Sequence, residues 1–353
     1  MSRMLPWIVG VLVVAGVAAP ASAQSAQACD RTCLRTMLDQ YLTAVIKHDP
    51  AAAPLVVGFR QTENAINTRP GMGVWKTVTG LGKMQRRYLD PVSGQAGYYG
   101  TVEEGSETAI VTVRVKVENR RLTEAEWVFA RANDPGLNGP RRQGGPPANL
   151  HNPEYLTANP PPDRVVPRNQ RSDRDSLIRI VDSYFDAITS HDGSVALTHA
   201  GCGRVENGSP APAGAFLPPG APRGRGPGGG GAAPAGRGAA AGQGAAQPGP
   251  GSNDCVASLQ NFNLSMVVAR RTPIVDEEAQ VVLAYAVFIR RPGSPTPRNV
   301  FSEWFNIEDG RIRTIYTAMF YPAPELAVPN WPPYEGHWPL PASTVPTPAP
   351  PRP

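Results

Sequence analysis

Beyond residue 23 the chain has no apolar run long enough to cross a bilayer, so no second membrane segment is expected. It has no cluster of His and Cys at metal-ligand spacing either, which leaves no metal and no cofactor to assign. Signatures of serine hydrolases, phosphate loops and dinucleotide sites are missing. Charge of one sign is nearly balanced, at +5 formally and +4 once Arg3 is removed with a leader. Several arginines (Arg141, Arg142, Arg223, Arg225, Arg237) fall in Gly/Pro-rich stretches rather than in a basic stripe interleaved with aromatics. That argues against nucleic acid as a partner.

Residues 1–23 carry the pattern of an export signal. Arg3 gives a charged start, Trp7 to Ala18 an apolar core, and Ala21-Ser22-Ala23 a small-x-small cleavage site. The expectation is an exported, soluble protein, periplasmic or extracellular, with no stable membrane anchor. The four cysteines fit an oxidising compartment: Cys29 with Cys33, and Cys202 with Cys255, read as two local disulfides.

Proline (40) and glycine (36) are abundant, but they are concentrated. Residues 133–171 read as a Pro/Gly-rich linker, 208–253 as a disordered Gly/Ala/Pro insert, and 323–353 as a Pro-rich tail. Two segments remain, 24–132 and 172–322, each the size of one small domain once the insert is set aside.

These segments are copies of one another. Leu34 to Asn64 returns as Leu177 to Asn207 without a gap, with ten identities in 31 positions. The identities include Tyr41/Tyr184, His48/His191, Asp49/Asp192, Glu63/Glu206 and Asn64/Asn207. Each copy opens with an amphipathic helix: Leu34, Met37, Leu38, Tyr41, Leu42 and Val45 in the first, Leu177, Ile180, Val181, Tyr184, Phe185 and Ile188 in the second. Each closes with hairpins. Val111, Val113, Val115 and Val117 alternate with polar residues, predicting a strand with one wet face, and Asn119-Arg120 turns it back. Val281–Ile289 is apolar on both faces, so it is buried on both sides or faces a neighbouring domain. Asp309-Gly310 marks the last hairpin. Helix first and hairpins last predicts an α+β fold.

That order resembles the SnoaL-like and ketosteroid isomerase-like branch of the nuclear transport factor 2-like superfamily. The carriers are Tyr41-(x)7-Asp49 and Tyr184-(x)7-Asp192, Thr62-Glu63-Asn64 and Val205-Glu206-Asn207, and Asp309-Gly310-Arg311-Ile312. The resemblance implies two cone-shaped domains, each with N-terminal helices packed on a curved antiparallel sheet around an apolar pocket. It further implies an internal pseudo-dimer and leaves room for a homo-oligomer. The family holds isomerases, cyclases, dehydratases and lyases alongside non-catalytic binding proteins, so fold alone does not choose.

The resemblance points to Tyr184, and to Tyr41 in the first copy, as a phenol donating to a developing oxyanion; a core tyrosine is the plainer alternative. It also places the family's general base at Asn64 and Asn207, which cannot take a proton. Glu63 and Glu206 lie one residue away, and whichever of Glu or Asn points inward decides between a base and a polar clamp. Aligning the two final turns sets Glu303 on Val113, an acid on an otherwise apolar face. An edge position or a pair with Arg298 or Arg311 is the alternative there. His199, present only in the second copy near Cys202, could shuttle protons in a pocket. His48-Asp49 and His191-Asp192 suit a helix end. Glu124 and Glu126 are expected in solvent, and Asp276-Glu277-Glu278 in an exposed loop or edge.

The sequence thus leads to a small apolar molecule as partner. The chemistry expected is metal-free isomerisation, dehydration or lysis by proton transfer, using Tyr184, Glu206 and Glu303, with Asn207 orienting the ligand. The alternative is a non-catalytic ligand-binding or protein-interaction module of the cell envelope.

Overall fold

The structure is a computed structural model that describes residues 29–136, 150–211, 255–256, 259, 264–291 and 299–322. The leader at 1–23, the tail at 323–353 and nearly all of the Gly-rich insert lie outside the described residues. Among those described, no helix is long and apolar enough to cross a membrane.

The chain forms two sheet-based α+β domains of the same plan. In the first, helix α1 (Arg31–Ile46) precedes strands β1 (Leu55–Glu63) and β2 (Ile66–Thr68), a one-turn helix α2 (Val74–Thr77), and the long strands β3 (Gly80–Asp90), β4 (Gln95–Glu104), β5 (Glu107–Glu118) and β6 (Arg121–Ala130). After a short helix α3 (Pro153–Ala158), the second domain repeats the series. It consists of helix α4 (Arg174–Ser190), then β7 (Thr198–Glu206), β8 (Ser209–Pro210), β9 (Leu264–Asp276), β10 (Val281–Arg290), β11 (Val300–Glu308) and β12 (Arg311–Phe320). Strand orders match: β2-β1-β6-β5-β4-β3 and β8-β7-β12-β11-β10-β9.

The sheets are mixed rather than antiparallel, because β1 runs parallel to β6 and β7 parallel to β12. Hairpin turns reveal direction only for strands adjacent in sequence. β1 and β7 arrive from a helix instead, so their direction carries no turn signal. Both bend where a glycine with positive φ, Gly58 (84°) or Gly201 (71°), interrupts the register. That explains why this glycine is shared by the two copies.

Helix signals are local and clear. Asp30 and Asp173 cap α1 and α4 by accepting from the backbone N–H three residues on. The apolar stripes of both helices are buried in the two domain cores. His48 and His191 end the helices in the left-handed region (φ 56° and 58°), and Asp49 and Asp192 cap the following turns. Both predicted hairpins form, with Asn119-Arg120 and Asp309-Gly310 all at positive φ. Both disulfides form as read, Cys29–Cys33 and Cys202–Cys255.

A third apolar cluster lies between the two sheets, joining Tyr88, Tyr99, Ile110 and Val128 to Ile274, Leu283, Tyr285, Trp304 and Tyr316. It accounts for the doubly apolar β10. Val282, Ala284 and Ala286 face their own domain, while Val281, Leu283 and Tyr285 face the other sheet. The same contact corrects three expectations. The polar face of β5 is covered, not wet: Thr112 accepts from Ser302 Oγ (2.7 Å) and Trp304 Nε1 (2.9 Å). Glu124 and Glu126 are held by the buried Arg114, and Arg271 of the second domain adds a second grip on Glu126. Asp276 is 1% exposed and paired with Arg31, while Asp90 pairs with Arg174. Gly97 permits the close approach, since a Cβ there would stand 2.5 Å from the Trp304 ring.

The later half of the segment read as a linker is structured. Leu156 of α3 is buried in the inter-sheet cluster, and Asn152 N donates to Asn207 O at 2.9 Å.

Candidate functional site

Period-2 alternation on β7 turns Cys202, Arg204 and Glu206 toward the core of the second domain, and Val205 toward the other sheet. The glutamate is therefore the inward residue. Arg204 sets its Nε 2.9 Å from Glu206 Oε1, and its Nη1 donates to the Tyr184 hydroxyl at 3.1 Å. Tyr184 comes from α4 and rests edge-on against Phe305, ring centroids 5.5 Å apart.

Glu303 reaches the same place from β11. Its neighbours across the sheet are Ala284 and Thr317, and it is 4% exposed. Its Oε2, like Thr317 Oγ1, has no hydrogen-bond partner among the described residues. Burial raises its pKa to about 8, with Arg204 pulling the other way and Glu206 adding to the rise. Burial also raises Glu206, countered by Arg204. Tyr184 is raised by burial too, so all three keep protons more tightly than in water.

The first domain shows what the same frame does without these charges. Gln61 stands where Arg204 does, Val113 for Glu303 and Trp127 for Thr317. Tyr41 donates to Gln61 Oε1 (2.9 Å) and accepts from Trp127 Nε1 (2.9 Å), while Trp75 Nε1 also donates to Gln61. Glu63 accepts from the N–H of Val74 (3.0 Å) and from Gln61 Nε2 (3.1 Å). Its pKa is raised by burial, and Gly73 lets it sit against α2. Each polar group in this core has a protein partner. A cavity of about 280 Å³ lies beside Glu63 and Asn64, toward Arg131 and Phe320.

Residues 170–319 match the model of a domain of unknown function (DUF8021). The match spans the second domain and includes Tyr184, Arg204, Glu206, Glu303 and Thr317. No curated protein matches the chain.

The remaining predicted residues do other work. Asn207 takes φ 46°, and its Oδ1 accepts from Met319 N (2.7 Å) while Nδ2 donates to Met319 O (2.9 Å). Asn64 (φ 48°) likewise accepts from Phe129 N at 2.8 Å. These amides complete main-chain pairing at the end of the sheet. His199 holds the backbone carbonyl of Glu308 at 2.9 Å, at the far end of β7. Arg204 and Thr317 were missed from the sequence. Arg204 could have been found by stepping two residues back from Glu206, and Thr317 by carrying Trp127 across the alignment that exposed Glu303.

Proposed function

We propose that the chain comprises two cone-shaped domains of the nuclear transport factor 2-like kind, arranged as an internal pseudo-dimer. In this reading the second domain transfers protons on a small, neutral, apolar carbonyl compound, as an isomerase or a lyase that eliminates water. The observation that carries this is the buried Glu303 carboxyl, set among Arg204, Glu206 and Tyr184 where the first domain has valine and glutamine.

The chemistry follows from who holds which proton. Tyr184 accepts from Arg204, so its own O–H is left to donate to an oxyanion in a low-dielectric interior. Glu303 keeps its proton at neutral pH and serves as general acid. Glu206, whose ion pair with Arg204 opposes the effect of burial, removes the proton next to the carbonyl. In elimination the C–H pair forms the new double bond, the C–O bond breaks, and Glu303 protonates the departing hydroxyl. In isomerisation the acid returns a proton to the far carbon. The first domain, with Tyr41 fully engaged, serves as structural partner.

The test is turnover of a panel of β-hydroxy ketones and β,γ-unsaturated ketones by the full chain, read as conjugated-enone absorbance. Wild type should convert members of the panel, and Glu303→Gln and Glu206→Gln should each lose about 100-fold or more. Equal rates in all three would sink the residue roles.

A second reading is binding without turnover. It is favoured by Asn64 and Asn207, which replace the family's base and hold the sheet instead. Under it, the panel binds, nothing is converted, and Glu303→Gln changes affinity alone.

A further inference from the structure

The inter-sheet contact has two ends related by the internal repeat, and they are not filled alike. Counting from the two final turns, Tyr316 matches Glu126; by the same register Tyr99 matches Tyr285, and Arg86 opposite Tyr99 matches Arg271 opposite Tyr285. At the first end Tyr99 donates to the carbonyl of Thr317 (3.2 Å), with Tyr316 packed against it at 6.1 Å between centroids. The segment around α3 seals that end: Tyr316 O–H donates to Asn159 O, and Arg86 Nε to Pro161 O.

At the other end the large ring is missing. Glu126 stands in place of Tyr316, drawn into a bidentate pair with Arg271 at 2.7 and 3.1 Å. A cavity of about 250 Å³ remains, walled by Thr62, Val128, Ala269, Tyr285, Val287 and Phe301 among others. Arg271 lies over the Tyr285 ring at 4.3 Å. Tyr285 is 7% exposed, and its hydroxyl has no hydrogen-bond partner among the described residues, unlike its twin Tyr99. A buried hydroxyl without an acceptor is costly, which marks it as a group awaiting one. The wall is also distorted: β9 bulges opposite Tyr285 and holds Ala269, which is not a glycine, at φ 49°. Such bulges gather beside binding sites.

We infer that this inter-domain cavity is a second ligand site, for a compact apolar molecule whose carbonyl or ether oxygen accepts from the Tyr285 hydroxyl. Apolar walls supply most of the contact, as is usual for small-molecule sites, and the volume suits a one- or two-ring compound. The charges on the rim are already matched, Glu126 with Arg271 and Arg114, so the ligand is neutral. None of Tyr184, Arg204, Glu206 and Glu303 is among the residues that wall this cavity.

The probe is 1-indanone, with indane as the same skeleton lacking an acceptor, followed by saturation-transfer NMR and calorimetry on the full chain. Wild type should bind indanone at least ten-fold more tightly than indane. Tyr285→Phe should bring the two together by weakening indanone about ten-fold, the worth of one buried hydrogen bond. Val287→Phe, which puts a ring into the space, should abolish the Tyr285-dependent binding of indanone, and that binding should persist in Glu303→Gln. Failure of indanone to bind, or binding unaffected by Tyr285→Phe and Val287→Phe, overturns the site. Loss in Glu303→Gln alone assigns the probe to the second domain's interior and also overturns it.

Discussion

Arg31 and Asp276 stand 245 positions apart and share a two-pronged ion pair, Nη1–Oδ1 2.8 Å and Nη2–Oδ2 3.0 Å. Arg174 and Asp90 make the counterpart, and each aspartate also accepts a main-chain N–H from the other domain, Leu89 N for Asp276 and Val275 N for Asp90. Each also caps its own turn, Asp90 over Val92 and Ser93, Asp276 over Glu278 and Ala279. One carboxylate thereby fixes a turn, a strand end and the other domain's helix.

Removing Asp276 takes an acceptor from the N–H groups of Leu89, Glu278 and Ala279 and the two-pronged partner from Arg31, which keeps only Leu89 O and Glu278. Asp276→Ala should cost roughly 3–5 kcal/mol. Because the pair joins the domains, urea unfolding of wild type should give one transition, coincident by tryptophan fluorescence and circular dichroism. Two separated transitions in wild type would show that the exchange does not couple the domains.

The two disulfides should differ in worth. Cys202–Cys255 closes a loop with a sequence separation of 53, and Cys29–Cys33 one of only 4. Chain entropy makes the first worth about 4 kcal/mol and the second about 2 kcal/mol. Denaturation of the two double-alanine variants, Cys202→Ala/Cys255→Ala and Cys29→Ala/Cys33→Ala, should rank them in that order. The reverse order would mean that residual structure in the unfolded chain already confines the long loop.

Asn207→Ala removes two buried amide bonds to Met319 and a residue tolerant of φ 46°. The expected loss is about 2–3 kcal/mol in urea denaturation. Asn64→Ala should cost less, since a single bond to Phe129 N is seen for its side chain. An Asn207→Ala chain of wild-type stability would return this amide to the ligand-binding role.

The repeat made the domain plan legible, because Tyr, His, Asp, Gly, Glu and Asn recur where each copy needs the same backbone. The shared Gly58/Gly201 and Asn64/Asn207 pairs are conformational, all at positive φ, which is why they match so well. Glu303 was legible as an acid on a valine face. What the sequence could not disclose was the second use of each sheet. Thr112, Arg114, Asp90 and Asp276 look like solvent residues, since alternation reports that two faces differ but not what covers the polar one. Arg204 was hidden for a related reason: its partner Glu206 is local, but its other contact, Tyr184, comes from a helix.

Glu303 gives the sharpest pH dependence. Its folded pKa is about 8 against an ordinary 4.5, so between those values the folded state binds a proton that the unfolded state has lost. Stability from this group is complete below about pH 4.5 and declines as pH rises through 8, by at most about 5 kcal/mol. Glu206, also raised, acts in the same direction. Glu303→Gln should flatten the curve, so that the variant gains on wild type steadily between pH 5 and 8. Glu303→Val, the residue of the first domain, should do the same and remove the unpaired carboxyl altogether. If Glu303 is the general acid, turnover by wild type falls as pH passes about 8 and both variants lose it while gaining stability. A variant that loses stability at pH 8 would show that the carboxylate is anchored in its charged form, and the acid role would fall with it.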